Sequence, residues 1–517
     1  MVAAPERVRW REMFEIALQG KRAYVNPFRE VKVAARFISP AGRQVRVPGF
    51  YDGNSIWRIR ASLDEIGIWR YEARSSDPSM EQRAGFIECV DSENKGFVRP
   101  HPDNPYAFAY EDGTPFFHMG DTSYNLVILD RETQRLPYLE RRQAQGFSLI
   151  RFMLYHDPEH AWPFGGTPED PDLDRLNVHH FRHIDGIMDD LLAHGMCAEL
   201  ILEQFYNGVM CRPELWTPER ERAWLDYVVA RYAAYSNLAY WTLANEYETY
   251  PDGMYRFDYP EDVEWAERTA RYVRRIDPYH HPIAVHPDRS DPMVGRLFGP
   301  GREFDIVMRQ TKGKRYDVGG YDDGSGAGVE NNVLQDRCYN KPVVVAEFGY
   351  EYNGYTTRGC NISTDLLRRQ AWRIVMGGGH FSAGFRSTVY NFPEEIEFDI
   401  ANNGGQAADQ LAYLQAFMTA GAYWQLHPAP SRVTPPHLCL ADEGREYVCF
   451  LPDPIPLRLD LKGVSGRFSV TWLNPITGEK HRGADCEAGG ELTLASPFTP
   501  ESVVRLRALG LGDDHGH

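Results

Sequence analysis

Between residues 115 and 385 a short apolar run returns eight times, alternating with helical-looking stretches, and few folds accept that alternation. The runs are PFFHMG (115 to 120), SLIRFML (148 to 154), CAELIL (197 to 202), LAYWTLA (238 to 244), PIAVH (282 to 286), FDIVMR (304 to 309), PVVVAEF (342 to 348) and HFSAGF (380 to 385). Amphipathic segments lie between them, among them HHFRHIDGIMDDLLAHG, TPERERAWLDYVVARYAAY, EDVEWAERTARYVRRID and DLLRRQAWRIVMGGG. Strand–helix alternation at this spacing predicts an α/β fold, a (β/α)8 TIM barrel with its parallel strands inside. Thr217 before Pro218 reads as a helix cap. Residues 287 to 330 hold no clear helix, only Gly-rich loops.

The flanks follow a different period. Residues 7 to 95 alternate apolar and polar positions in RVRWREMFEIAL, VKVAARFI, QVRVPGFYDG, SIWRIRASL, GIWRYEARSS and GFIECV, with turn formers between them, which predicts an N-terminal β-sandwich. Beyond 425 the Pro-rich HPAPSRVTPP reads as a linker, and EYVCFLP, LRLDL, RFSVTWLNPITGEK and ELTLA predict a second, small sandwich. The expected domains are 1–98, 99–425 and 426–517. A chain of 517 residues is long enough for all three.

A net charge of −17 opposes the phosphate backbone and excludes nucleic acid as the expected partner. No run of eighteen apolar residues exists to enter a membrane. Eight cysteines are scattered without a CxxC pair, so reduced thiols are expected. The opening MVAAPERVRWREMFEIALQG puts Glu6, Arg7, Arg9, Arg11 and Glu12 where a secretory signal needs an apolar stretch, which predicts a cytoplasmic protein.

Enzymes built on this barrel place their chemistry at the C-terminal ends of the strands. Two glutamates sit there: Glu246 follows LAYWTLAN on the fourth run, and Glu347 ends PVVVA on the seventh. A carboxylate on so apolar a strand is costly unless it faces a polar cavity. Paired carboxyl groups are what cleavage of a glycosidic bond requires, one to protonate the departing oxygen and one to attack the anomeric carbon or activate water. Carbohydrate is therefore the expected partner, and no cofactor or metal is called for.

The segments WTLANEYE and VVVAEFGYE, with Arg151 in GFSLIRFMLY, resemble the signatures of clan A glycoside hydrolases, which are retaining enzymes on this barrel. PFFHMGDTSYNL and HIDGIMDDLLAHGM are similar to the apiosidase-like group within them; VPGFYDGNSIWRIRASLDEIGIWRYEARSS resembles the sandwich that precedes such barrels, and VTWLNPITGE the small domain that follows. The resemblance implies Glu246 as acid/base, Glu347 as nucleophile, Arg151 as the arginine that orients it and Asn245 as the residue bonding the sugar 2-hydroxyl. It does not carry a substrate. One departure is ILEQFY, where Glu203 and Gln204 stand in place of an expected His-containing loop.

Independently of family, a nucleophile must stay ionised, so a cation such as Arg151 beside Glu347 is expected to lower its pKa. The negative charge of Glu347, roughly 5 to 5.5 Å away in a retaining enzyme, is expected to keep the proton on Glu246. Asp121, Tyr124, His156, Asp157, His286 and Gln310 also fall at strand ends and are expected to line a sugar pocket, Asp121, His286 and Gln310 foremost. Trp162, Tyr206, Tyr247 and Tyr350 are candidate stacking partners for sugar faces. Among rival carboxylates, Glu248 and Glu351 read as loop charges, while Glu203 is the more serious competitor.

Two other readings compete. A metal-dependent barrel hydrolase needs a histidine cluster from several strands; the first strand offers only His118, and His179 and His183 are spaced i, i+4 on a helix where a solvated face is expected. A non-catalytic carbohydrate-binding protein would keep the barrel and lose turnover. The flanking sandwiches offer surfaces for walling the cleft or for contacts in a homo-oligomer.

Overall fold

The computed structural model describes residues 5–80, 82–155, 161–205, 208–254, 260–288, 297–299, 301–311, 328–351, 361–385 and 405–510. Eight parallel strands form its centre: Met119–Thr122, Leu149–Met153, Cys197–Gln204, Leu238–Asn245, Ile283–Ala284, Val307–Gln310, Val343–Glu347 and His380–Gly384. Numbered one to eight in chain order, they pair as 5-4-3-2-1-8-7-6. Between five and six the ring is completed by single bonds: Asp305 N donates to the Ile283 carbonyl at 2.9 Å, and the Asp305 carboxylate accepts from Ile283 N, also at 2.9 Å. A side chain thus stands in for a strand carbonyl.

Helices cover the outside, including Leu136–Ala144, Val178–Ala193, Pro218–Tyr232, Pro260–Ile276 and Thr364–Met376. Outward residues such as Leu200, Leu202, Trp241 and Leu243 are fully shielded by this layer. Such a strand is apolar on both faces and can exist only where both are covered. Thr217 occupies the cap position before Pro218, but its side chain makes no capping bond. No helix among the described residues is long and apolar enough to cross a membrane.

The first apolar run does not form one strand. Pro115–Phe116 joins Phe108–Tyr110 and Val98–Pro100 in a separate three-stranded sheet, and the first barrel strand starts only at Met119. Val98, Phe108 and Phe116 pack against Leu149, Ala239, Ala284 and Val344, closing the barrel floor.

Residues Glu6 to Val90 form a seven-stranded sheet whose fourth strand, Gln44–Tyr51, pairs first with Val33–Ile38 and then with Ile56–Ser62. The change of partner occurs at Gly49, where a Cβ would sit 2.5 Å from both the Arg58 carbonyl and Val33. Both halves contribute to one core that includes Phe37, Trp57, Ile59 and Trp69. RVRWREMFEIAL breaks into two strands, Glu6–Arg9 and Met13–Gln19, with Arg11 at φ 60° between them.

An ion-pair network fastens this sheet to the barrel. Asp52 meets Arg58 at 2.6 Å, Arg182 at 3.2 Å and Arg231 at 3.0 Å, and Asp185 meets Arg60 at 2.7 Å and Arg231 at 2.6 Å. At the other end Glu501 binds Arg368 and Arg369 of helix Thr364–Met376, and Phe450 stacks on Trp372 at 6.0 Å. The stretch read as a linker is partly built into the C-terminal sheet, since His427–Pro428 pairs with Leu440–Ala441. The seven described cysteines, Cys89, Cys197, Cys211, Cys338, Cys439, Cys449 and Cys486, are free thiols.

Candidate active site

Glu246 is delivered to the barrel mouth by a bulge. His286 N donates to the Ala244 carbonyl at 3.2 Å and Tyr247 N donates to the His286 carbonyl at 3.1 Å, so one residue, Glu246, is looped out between them. Its backbone lies in the left-handed region at φ 49° and ψ 60°, a conformation that costs free energy for any residue but glycine. The turn is closed from below by Glu248, which is buried and accepts from Asp288 N at 2.9 Å. Burial pushes the Glu248 carboxyl up to about 8. It is no solvated loop charge.

Glu347 ends the seventh strand and is 6% exposed. Its Oε1 accepts from the Tyr124 hydroxyl and from Arg151 Nη1 at 3.2 Å, with His286 Nε2 at 4.0 Å. Its Oε2 accepts from Tyr350 at 2.6 Å and from Gln310 Nε2 at 2.8 Å. Burial acts to raise this carboxyl, but the positive charge of His286 and Arg151 and the hydroxyls of Tyr124 and Tyr350 outweigh it and bring it down to about 2. Such a group is ionised at any ordinary pH.

The same Gln310 nitrogen donates to Glu246 Oε1 at 3.1 Å. One amide therefore reaches both carboxylates from the end of the sixth strand. Two oxygens bonded to one nitrogen at 2.8 and 3.1 Å stand less than about 6 Å apart. Arg151 is fully buried; besides Glu347 it holds Tyr124, Asn245 Oδ1 at 2.5 Å and Glu199 at 3.1 Å. The Tyr124 hydroxyl also lies 3.2 Å from Asn245 Oδ1. Six of the sequence candidates, Arg151, Asn245, Tyr124, His286, Gln310 and Tyr350, thus gather around the two glutamates.

A model of the apiosidase-like catalytic domain matches residues 102–424, which is more than half of the chain. The chain belongs to the apiosidase-like family. Residues 7–76 match a domain of unknown function, DUF5060. Among solved structures, a protein of Bacteroides vulgatus ATCC 8482 assigned to the glycoside hydrolases is 22% identical, with 98% of this chain and 100% of that one covered and a TM-score of 0.78. A glycoside hydrolase family 5 protein from the same organism is 16% identical over 80% of this chain and 94% of its own, with a TM-score of 0.66. These likenesses are ones of fold. No curated protein matches the sequence.

Not every candidate of this apiosidase-like chain reaches the mouth. Asp121 is a correction: its carboxylate turns outward, where Oδ2 accepts from Tyr138 at 2.8 Å and Arg142 at 2.6 Å in helix Leu136–Ala144. Glu203 is another. It is buried in the helix layer with Trp216 Nε1 3.2 Å from its Oε1, and burial together with the charge of Glu221 pushes its carboxyl well up. Glu351 is buried and accepts from Thr364 and from Ala407 N at 3.1 Å. Trp162 donates to the Gly165 carbonyl at 3.2 Å and packs on Phe164, and Tyr247 is fully buried. His156, Asp157 and Tyr206 lie outside the described residues. His179 is exposed on its helix, and His183 lies 3.5 Å from Arg135.

Three residues that the sequence reading missed complete the arrangement from beneath: Glu199, Tyr240 and Thr242, all fully buried. The signal was present, since Glu199 interrupts the apolar run CAELIL as Arg151 interrupts SLIRFML. An arginine and a carboxyl group at mid-strand on neighbouring buried runs must find each other as partners.

Proposed function

We propose that this chain is a retaining O-glycoside hydrolase acting on an oligosaccharide or small glycoside by double displacement, with Glu246 as acid/base and Glu347 as nucleophile. The reading rests on one observation above all: a single amide nitrogen, that of Gln310, bonds both carboxylates at 2.8 and 3.1 Å. A separation held below about 6 Å suits a nucleophile and a proton donor on one bond, whereas an inverting pair needs roughly 6.5 to 9.5 Å for an intervening water. Glu347, ionised among four donors, attacks the anomeric carbon. Glu246 gives its proton to the departing oxygen, then takes one from water once the charge on Glu347 has been consumed in the glycosyl-enzyme. Asn245, anchored by Arg151 and Tyr124, is read as the contact to the sugar 2-hydroxyl. The flanking sheets are read as two sandwich domains, residues 1–98 and 426–517, around a catalytic barrel of 99–425.

The test is hydrolysis of a panel of aryl glycosides, an apioside included after the family's name, by wild type and Glu347→Ala. Loss of turnover in Glu347→Ala, with azide restoring release of the aryl group and giving a glycosyl azide of inverted configuration, supports the reading. Unchanged turnover in that variant would overturn it.

A further inference from the structure

Below Arg151 the barrel interior holds a file of polar groups running to its floor. Glu199 Oε1 lies 3.1 Å from Arg151 Nε and 2.7 Å from Thr242 Oγ1, and Glu199 Oε2 lies 2.8 Å from the Tyr240 hydroxyl. That hydroxyl is also 2.9 Å from His118 Nε2, and His118 Nδ1 is 3.2 Å from the Phe381 carbonyl. Glu199 and Tyr240 are fully buried and His118 is 1% exposed.

The protons in this file can be counted. The Phe381 carbonyl only accepts, so His118 Nδ1 carries a hydrogen. In a neutral imidazole Nε2 is then an acceptor, and the one hydrogen of Tyr240 must point to it. Tyr240 then has only lone pairs left for Glu199 Oε2. Two acceptors 2.8 Å apart with no hydrogen between them would repel, so the hydrogen must come from Glu199. A hydrogen on Oε1 would not lie between the two, so Oε2 carries it, and Oε1 is left to accept from Arg151 Nε and Thr242. The alternative moves both protons one place along, leaving Glu199 ionised and His118 doubly protonated. We infer that Glu199 is a neutral carboxylic acid protonated on Oε2, a positioning residue that grips Arg151 without cancelling the charge Arg151 presents to Glu347.

The surroundings of His118 favour this assignment. Phe108 is stacked on its ring at 5.6 Å, Phe116 stands edge-on at 6.1 Å and His380 lies at 5.9 Å, itself facing the Tyr106 carbonyl. None of these neighbours is an anion that would hold an imidazolium. Burial, with His380 adding to it, keeps His118 down to about 3, and burial pushes the Glu199 carboxyl up against the pull of Arg151 and the two hydroxyls. The consequence for catalysis rests on the glycosidase reading; the proton count does not. Were Glu199 ionised, Arg151 would lie between two carboxylates and its effect on the nucleophile would be divided.

Glutamine reproduces the inferred hydrogen bonds, its carbonyl accepting from Arg151 and Thr242 and its amide donating to Tyr240. The deciding measurement is therefore spectroscopic, on the whole protein. Infrared difference spectra of wild type against Glu199→Gln are expected to show the carbonyl band of a protonated carboxylic acid in the wild type and its loss in the variant. Nitrogen NMR of the His118 ring, assigned against His118→Asn, is expected to show a neutral imidazole with hydrogen on Nδ1. Absence of the acid band with a doubly protonated His118 overturns the inference. In kcat/KM against pH, Glu199→Gln is expected to keep the acid limb in place, and Glu199→Leu, which drops Arg151, to move it to higher pH. A limb displaced to lower pH in Glu199→Gln would mean an anion had been removed, and would also overturn it. Failure of Glu199→Leu to fold leaves the spectra and the glutamine variant decisive. If no glycoside is turned over by any form, the glycosidase reading fails while the spectra still report on Glu199.

Discussion

Arg151 Nη1 lies 3.2 Å from Glu347 Oε1, and the two side chains are 0% and 7% exposed. A pair so placed is not interchangeable with a surface salt bridge, because breaking it leaves a buried charge short of its arginine and out of reach of solvent. Arg151→Met is expected to lower stability by about 3–5 kcal/mol, measured by denaturant unfolding. Arg151→Lys keeps the charge but loses the fork that also holds Asn245 and Glu199. It should fold, lose about 10²-fold in kcat/KM, and show its acid limb displaced to higher pH as Glu347 loses part of its stabilisation.

Gln310 donates to both carboxyl groups and so ties the two together. Gln310→Glu puts a third carboxyl in the same place, where like charges cannot all ionise. The variant is expected to be about 10³-fold slower at neutral pH and to move its acid limb to higher pH, whereas Gln310→Ala should lose about 10-fold to 10²-fold. Initial rates on an activated aryl glycoside across pH measure both, and a Gln310→Glu profile coinciding with wild type would disprove the bridging role.

The eight-strand alternation was legible because its strands are buried on both faces and read as unbroken apolar runs. That same property hides which face is inward. Asp121 was expected at the mouth, yet its position in Met119–Thr122 directs it to Tyr138 and Arg142; nothing in MGDT fixes the parity, since each face carries one polar residue, Asp121 or Thr122. Glu246 and Glu347 escaped the ambiguity by standing at strand ends, where the chain leaves the wall. Glu203, also at a strand end, did not, because its environment is set by Trp216 and Glu221, more than ten residues further on. The role of Gln310 as a bridge is a property of three strands at once and has no local signature.

Glu203 and Glu221 are two buried carboxyls in the helix layer, Glu221 bonded to Trp265 Nε1 at 2.5 Å. Burial pushes both up, and the charge of Glu221 pushes Glu203 further. A carboxyl raised in the fold binds its proton more tightly there than in the unfolded chain. Its contribution to stability is thus fully present below the ordinary carboxylate range and is lost as pH rises through the raised folded value. The melting temperature of wild type is expected to fall as pH rises above the ordinary carboxylate range, and Glu203→Gln to flatten that decline with little change at the acid end. A decline just as steep in the variant would remove Glu203 as its cause.

Asp185 joins the N-terminal sheet to the barrel by binding Arg60 at 2.7 Å and Arg231 at 2.6 Å, both arginines being under 10% exposed. Arg60 Nη1 also donates to the Arg231 carbonyl at 3.0 Å, so the two guanidinium groups depend on this carboxylate to lie side by side. Asp185→Ala leaves two buried cations adjacent, with Glu15 on Arg60 and Asp52 on Arg231 as their remaining ion-pair partners among the described residues. The expected cost is about 3–5 kcal/mol. It should appear at the seam, because the core around Trp57 and Trp69 and the barrel core each keep their own packing. Calorimetry is therefore expected to resolve an earlier transition for the N-terminal sheet in Asp185→Ala where wild type unfolds in one, and limited proteolysis to cut between residues 90 and 98. Arg60→Met with Arg231→Met in the Asp185→Ala background removes the stranded charges and should recover most of the loss. A single undisturbed transition in Asp185→Ala would mean that the sheet and barrel are held by their apolar contact alone.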